Sequence, residues 1–331
     1  MRIDVHTHFY PSGYLKEVAA HSEHSTISHD DRGRMLVNYA GDYNVVEGAH
    51  RDVDIRLRDM NNFGIDMSVM SLTTPGVHIE KPEFGIRLSQ IVNDEYADLV
   101  KQHPDRFQFF ATLPAQAPDA AAKELQRAVT DLGLVGGMIF SNINGDTLEQ
   151  EKFWPIYEAA EALGVPIVVH PTAPAFASYM NDYRLVALLG FAYDTTMAAV
   201  RMVLAGVLDR FPKLILIQTH LGGVLPYMAE RVQRGYNVYP EIAGKLKRDP
   251  MDYFREMYLD TVLFDVEALK LGLSFAGEDR IMLGSDHPHQ VGDLRKCSIV
   301  VDQLPVSQEV KEKIFARNAM KLLGVNPPKS A

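Results

Sequence analysis

The chain has 331 residues, 47% of them hydrophobic and 23% charged, an ordinary globular composition. Its formal net charge of −10 argues against a nucleic-acid-binding surface. Cys297 is the sole cysteine, so no intrachain disulfide can form, which suits a reducing, cytoplasmic setting. No basic N-terminal region precedes an apolar stretch, so no signal peptide is expected, and no apolar run approaches the ~20 residues of a membrane helix.

Short, β-rich apolar runs then alternate with helical patterns. The first strand is expected over 2–8 (RIDVHTH), followed from Pro11 by a long polar stretch, 12–51, rich in Ser, His, Asp and Gly. A helix over 52–63 stops at Gly64, and a strand follows over 66–73. A helix over 83–103 stops at Pro104 and leads to a strand over 107–114. The helix 117–132 precedes a strand over 136–143, and the helix 151–163, closed by Gly164, precedes one over 166–172 (PIVVHPT). Beyond an aromatic-rich stretch, 173–194, lie a helix over 195–211, a strand over 214–220 (LILIQTH) and a helix over 225–236. A third irregular stretch, 237–254, precedes a strand over 257–262, a helix over 266–275, a strand over 281–286 (IMLGSD) and a helix over 308–323. The tail 326–331 reads as frayed.

Several strands are near-continuous Val, Ile, Leu and Phe, as parallel strands covered on both faces require. Eight strands alternating with eight helices predict an α/β fold, a (β/α)8 TIM barrel, as a single domain over 1–331. The rival is a doubly wound open sheet, but no G-x-G-x-x-G follows an early strand. The three irregular stretches, after strands one and five and after helix six, read as lid or binding-loop insertions.

The chemistry concentrates at strand ends. His6 and His8 close strand one, i and i+2, so they share one face. His170 ends strand five, His220 strand six and Asp286 strand eight. A barrel brings these ends to one rim, where active sites form. One such histidine is more often a packing residue, but five convergent groups of ligand type with an open position are what a catalytic divalent metal needs. Imidazole and carboxylate suit zinc, with manganese an alternative.

His21, His24, His29 and His50 read as solvated loop residues, and His289 as able to face the substrate. Asp4 and Asp260 read as buried and hydrogen-bonded. Gly222–Gly223 reads as a tight strand-to-helix turn in preference to a phosphate cradle. Tyr10, Phe176 and Tyr179 are candidates either for an apolar substrate pocket or for a subunit interface.

The His-x-His after strand one, the two later histidines and the final Asp resemble the amidohydrolase superfamily. The segments "IDVHTHFYP", "FFATLPAQAPDAAAKELQRAV", "VVHPTAP", "LDRFPKLILIQTHLGGVLPYMAERV" and "DRIMLGSDHPHQVGDL" look like the 2-amino-3-carboxymuconate-6-semialdehyde decarboxylase family. The resemblance implies metal ligands at His6, His8, His170 and Asp286, a catalytic base at His220, and a homodimer. "GGMIFSNI" ends without a lysine, which favours one metal over two. Two arginines that the resemblance would place on a substrate carboxylate fall instead at Asn44 and near Tyr239. The segments "LTTPGVH" and "HPTAP" look closer to the salicylate-type branch. The activity implied is non-oxidative decarboxylation of a small aromatic or muconate-type carboxylic acid, salicylate-like on that branch, with Asp286 or a His220-oriented water supplying the proton. The alternative on the same metal is zinc-dependent hydrolysis of an amide, ester, lactone or C–C bond.

Overall fold

The computed structural model describes residues 1–39 and 42–325. Strand β1 (Ile3–His8) leads to α1 (Ser12–His21) and to an antiparallel sheet of β2 (Ser25–His29), β3 (Met35–Tyr39) and β4 (Asp42–Val46). The chain then runs through α2 (Val53–Phe63), β5 (Met67–Ser71), α3 (Pro82–Gln102), β6 (Phe107–Phe109), β7 (Ala111–Thr112) and α4 (Pro118–Thr130). Next come β8 (Gly137–Phe140), a small hairpin of β9 (Asn142–Ile143) and β10 (Asp146–Thr147), α5 (Trp154–Leu163) and β11 (Ile167–His170). A π turn (Val186–Gly190) opens α6 (Phe191–Leu204), followed by α7 (Val207–Arg210), β12 (Leu216–Gln218), α8 (Leu225–Val238) and α9 (Pro250–Glu256). The chain closes with β13 (Tyr258–Asp260), α10 (Val266–Ala276), β14 (Ile281–Met282), α11 (Lys296–Asp302), α12 (Gln308–Glu312), a π turn (Lys313–Arg317) and α13 (Asn318–Leu323).

The result is a mixed α/β fold on parallel sheets, in the orders β1-β5-β6 and β14-β13-β12-β11-β8-β7. Every residue of β1, β5, β8 and β11 is buried, as strands sandwiched between a core and covering helices must be. Backbone bonds tie the sheets to each other. At one edge, Val135 N–H, just before β8, donates to Phe109 O of β6 (3.2 Å). At the other edge, Val5 N–H donates to Leu283 O (2.9 Å), His8 N–H donates to His287 O (2.8 Å), and Thr7 forms a parallel bridge with His287.

Helix ends follow the local signals. Asp52 accepts from Ile55 N–H at the start of α2, and Gly64, left-handed at φ 69°, ends it. Asp265 and Ser307 cap α10 and α12 in the same way. Two expected helices are broken. The stretch 195–211 divides at Gly206, whose φ of 79° reverses the chain before α7. The stretch 308–323 contains the π turn, an irregularity that the hydrophobic spacing does not encode. The polar stretch 12–51 is not irregular but holds α1 and the β2–β3–β4 sheet. The call on the tail 326–331 lies outside the described residues.

The expectation that no segment is long and apolar enough to cross a membrane needs correction. Val186–Leu204 is a continuous 19-residue helical segment of mean hydropathy 1.3. Its packing shows why it is a wall helix of this fold. Ala198, Ala199, Met202 and Val203 are buried in the core, and Asp194 turns inward to accept hydrogen bonds from Ser141 Oγ and Asn142 Nδ2.

Arg56 is the largest fully buried side chain. It reaches from α2 to the end of β1, where its Nη1 donates to Thr7 Oγ1 (2.6 Å), its Nη2 to His8 O, and its Nε to Ala49 O (3.1 Å). This clamp holds the backbone that presents the two strand-one histidines.

Replacing Arg56 with Met leaves those oxygens buried without a donor, so Arg56→Met loses at least about 3 kcal/mol of stability, read by urea titration. Burial raises the Asp194 carboxyl above its ordinary value. Such a group contributes stability fully below its unfolded pKa and loses that contribution as pH rises through the folded value. Asp194→Asn lacks this titration, so its Tm relative to the unsubstituted chain moves upward between about pH 4 and about pH 7.

Candidate metal centre and active site

Four side chains converge where the parallel strands end. His6 and His8 project from β1 with the two-residue spacing that puts them on one face. His170 is the last residue of β11, and Asp286 lies in the turn after β14. All four are buried, and their ligand atoms lie within 4.8 Å of one another. The His6 and His8 ring centroids are 5.1 Å apart, and His170 lies 5.4 Å and 4.8 Å from them. Asp286 Oδ1 is 3.1 Å from His8 Nε2 and 3.5 Å from His6 Nε2.

The donors are oriented from behind. His6 Nδ1–H donates to Asp260 Oδ2 (2.6 Å), and His170 Nδ1–H donates to the Pro171 carbonyl (2.9 Å). Each bond fixes a tautomer whose Nε2 lone pair faces the cluster. Among the described residues the buried Nε2 atoms of His6 and His170 have no hydrogen-bond partner. Orphaned buried nitrogens beside a carboxylate are the donor set of a divalent cation, with room for an open position.

Electrostatics agrees with that reading. Burial pushes His8 down to about 3 and holds His170 well below its ordinary value, so both present lone pairs. Burial opposes charge on His6, yet the bonded Asp260 carboxylate keeps its pKa above the usual value. The field that favours a proton on His6 also favours a metal cation at its Nε2. Burial likewise opposes charge on Asp286, but the His220 and His8 imidazoles hold its carboxyl well below the usual range.

His220 stands beside the cluster, with Nε2 3.6 Å from Asp286 Oδ2. It sits two residues beyond the end of β12, after Thr219, in a left-handed conformation (φ 55°) that Leu221 shares. Asp286 is also left-handed, at φ 54°. Each such residue costs on the order of 1–3 kcal/mol, so the surrounding structure must enforce it. Asp260 does so for His220: its Oδ2 accepts from His220 N–H (3.0 Å) and its Oδ1 from Leu221 N–H (3.0 Å). Asp4 does so for the Asp286 turn, accepting from Ser285 N–H (3.1 Å) and Ser285 Oγ–H (2.5 Å). The Gly222–Gly223 pair is a tight turn against α6. A Cβ on Gly223 would lie 2.2 Å from the Ala192 carbonyl.

The cluster opens into a cavity of about 570 Å³ whose wall includes His170, His220, Asp286 and His289. Leu188, Phe191, Val262, Leu263 and Phe264 supply apolar wall, and Thr73 and Thr74 add hydroxyls. Of the residues expected at the substrate, Asn44 and His289 line this cavity. His289 Nε2 is 2.9 Å from Thr73 Oγ1. The Asn44 amide donates to Thr74 O (2.6 Å), Thr74 Oγ1 (2.8 Å) and Tyr10 Oη (3.1 Å).

Tyr10, Phe176 and Tyr179 are not wall residues. Tyr10 lies fully buried behind the wall, its hydroxyl donating to Thr74 O, because the chain folds back over it at His50. Phe176 precedes a short 3-10 turn that Tyr179 closes, and Tyr179 is 89% exposed. His50, expected to be solvated, is fully buried: its Nδ1 accepts from Glu47 N–H (3.0 Å), which ties the turn before α2. Sequence reasoning found Asp260 but not its linking role. Arg184 on the cavity wall was missed, since no strand-end pattern marks it.

Comparison with known proteins agrees with this geometry. The amidohydrolase family model matches residues 3–325, and the chain belongs to that family. More particularly, it is 30% identical to 2-amino-3-carboxymuconate-6-semialdehyde decarboxylase of Dictyostelium discoideum, over 99% of this chain and 93% of that one. It superposes on the crystal structure of 5-carboxyvanillate decarboxylase from Sphingomonas paucimobilis with TM-score 0.87 and 29% identity, covering 98% and 99% of the two chains. The dihydroxybenzoic acid decarboxylase of Polaromonas sp. JS666, solved with manganese and 2-nitroresorcinol, aligns with TM-score 0.81 and 27% identity, covering 98% and 97%.

Asp260→Asn removes the anion that orients His6. Its affinity for added manganese falls about 10- to 100-fold, measured by metal titration of the metal-stripped protein.

Proposed function

We propose that the chain is a metal-dependent, non-oxidative decarboxylase of a small hydroxyaryl carboxylic acid. The observation that carries this reading is the buried His6–His8–His170–Asp286 cluster, with His220 beside it, at the base of a largely apolar cavity. The decarboxylase names of the relatives support it. One divalent cation suffices for the donor set. Zinc is the ion expected from imidazole and carboxylate ligands, and the Polaromonas neighbour holds manganese.

The fold reading that accompanies it is a closed (β/α)8 barrel, supported by the backbone bonds that link the two parallel sheets at both edges. Two insertions act as its lids. The stretch 12–51 supplies Asn44 and Val45 to the cavity wall, and the stretch 173–194 supplies residues from Tyr183 to Ala192. The stretch 237–254 supplies none of the wall residues.

His6, His8, His170 and Asp286 would hold the cation, which supplies Lewis-acid polarisation of substrate oxygens. The chain's own residues do the rest. Leu188, Phe191 and Phe264 give the ring an apolar wall. His220 stands 3.6 Å from Asp286 at the cavity wall. Asp286 or a water that His220 orients supplies a proton, a role for which an imidazole partner is suited. That proton adds to the ring carbon bearing the carboxylate, which turns the ring into an electron sink. The carbon–carboxylate bond then breaks, its electron pair restores the aromatic ring, and CO2 leaves.

A homodimer accompanies the proposal. Tyr183, Leu188, Leu189, Tyr193 and Met197 are exposed along one segment, an apolar surface that a second copy would cover. Sedimentation at micromolar concentration should show a two-chain mass.

With a panel of hydroxybenzoates and carboxymuconates, the metal-loaded enzyme should release CO2. Release of a cleaved acid without CO2 overturns the reading in favour of hydrolysis. His220→Ala should keep its metal and lose about 10²- to 10⁴-fold in kcat. Stripping the metal should abolish turnover and lower Tm, both restored by readdition.

A further inference from the structure

The cavity wall carries one lysine or arginine among the described residues, Arg184. It stands on the insertion between β11 and α6, where Tyr183 and Arg184 are both left-handed (φ 56° and 59°). Two successive non-glycine residues in that conformation bend the chain so that Arg184 borders the cavity. Its guanidinium carbon lies 4.4 Å from the Tyr43 ring centroid. Nη1 donates to Asp42 Oδ1 (2.5 Å) and Nη2 to the Tyr43 carbonyl (3.1 Å). Asp42 and Tyr43 belong to β4, so the arginine joins the two insertions across the mouth.

A guanidinium has five N–H donors in a planar fork. Among the described residues two are engaged, which leaves the Nε–H and one hydrogen on each terminal nitrogen for a ligand. The cavity is therefore bipolar. Metal-ligand groups occupy one part of its wall, the Arg184 cation another, and Leu188, Phe191 and Phe264 supply apolar surface. The chain carries a net charge of −10, so this local cation is the wall's means of attracting a second negative group.

We propose that Arg184 is a specificity-determining residue that receives a second anionic substituent of the aromatic acid, held ready by Asp42 and the Tyr43 ring. The substrate class is thus a hydroxyaryl acid carrying a further carboxylate or comparable anion. The inference rests on the decarboxylase reading for its choice of acids, but its test does not require turnover.

Calorimetry on the manganese-loaded protein compares benzoate with isophthalate and terephthalate as unreactive probes. The better diacid should bind about tenfold tighter than benzoate, as a charge-assisted pair predicts. Arg184→Met should erase that ratio, Arg184→Lys should keep part of it, and Asp42→Asn should raise it by freeing the guanidinium. Circular dichroism and metal content confirm that each variant is folded and loaded. Equal binding of mono- and diacids by the unsubstituted chain, or no binding of either, overturns the proposal. So does a parallel loss of both in Arg184→Met and Asp42→Asn, which marks a mere latch between the insertions. If no hydroxyaryl acid yields CO2 while the diacid ratio responds to Arg184, the decarboxylase reading fails and the anion site stands.

Discussion

The carboxylate of Asp260 is the interaction on which the site depends. Fully buried at the end of β13, it accepts from His6 Nδ1 and from the backbone N–H groups of His220, Leu221 and Val262. One side chain thus aligns His6 on β1 and holds the turn that carries His220 after β12. Burial opposes its charge, yet the His6 imidazole and these donors keep it ionised below the ordinary carboxylate range. A fully bonded buried carboxylate is rigid, because each lost bond exposes the whole desolvation cost of the charge.

That rigidity explains how the fold tolerates a cluster that is unfavourable without a cation. Four buried ligand-type side chains gather their ligand atoms within one small space, and the Nε2 atoms of His6 and His170 have no partner among the described residues. Packed strands on one side and the Arg56 clamp on the other prevent relaxation. Strain is concentrated at the same place, with His220 and Asp286 both left-handed. Structure that over-determines such residues is what pre-organises a site for chemistry.

The insertions answer a different need. The strand ends can present donors but cannot wrap a substrate, so the cavity wall is completed from β4 and from the segment leading into α6. Their contact, Arg184 with Asp42 and Tyr43, is partly exposed and therefore cheap to rearrange, unlike the buried network below. The gradient from a fixed floor to an adjustable rim is where a common fold acquires different substrates.

Much of the floor was legible in the sequence, because it depends on short-range rules. Two-residue spacing put His6 and His8 on one face, and near-continuous apolar runs marked buried parallel strands whose last residues share a rim. Helix limits at Gly64 and Gly164 followed from the same local chemistry. The existence of the insertions was legible, but which of their side chains reach the cavity was mostly not, because those residues obey no fixed period relative to the site. Tyr10 and Tyr179 read alike as aromatics of a pocket or an interface, yet one is buried behind the wall and the other lies in solvent. Local sequence by itself determined which residues could serve as donors and which face they occupy. Only the tertiary structure decided that Asp260 would bind two of their neighbourhoods together and that Arg184 would reach the cavity, since those contacts join segments about 40, 140 and 250 residues apart.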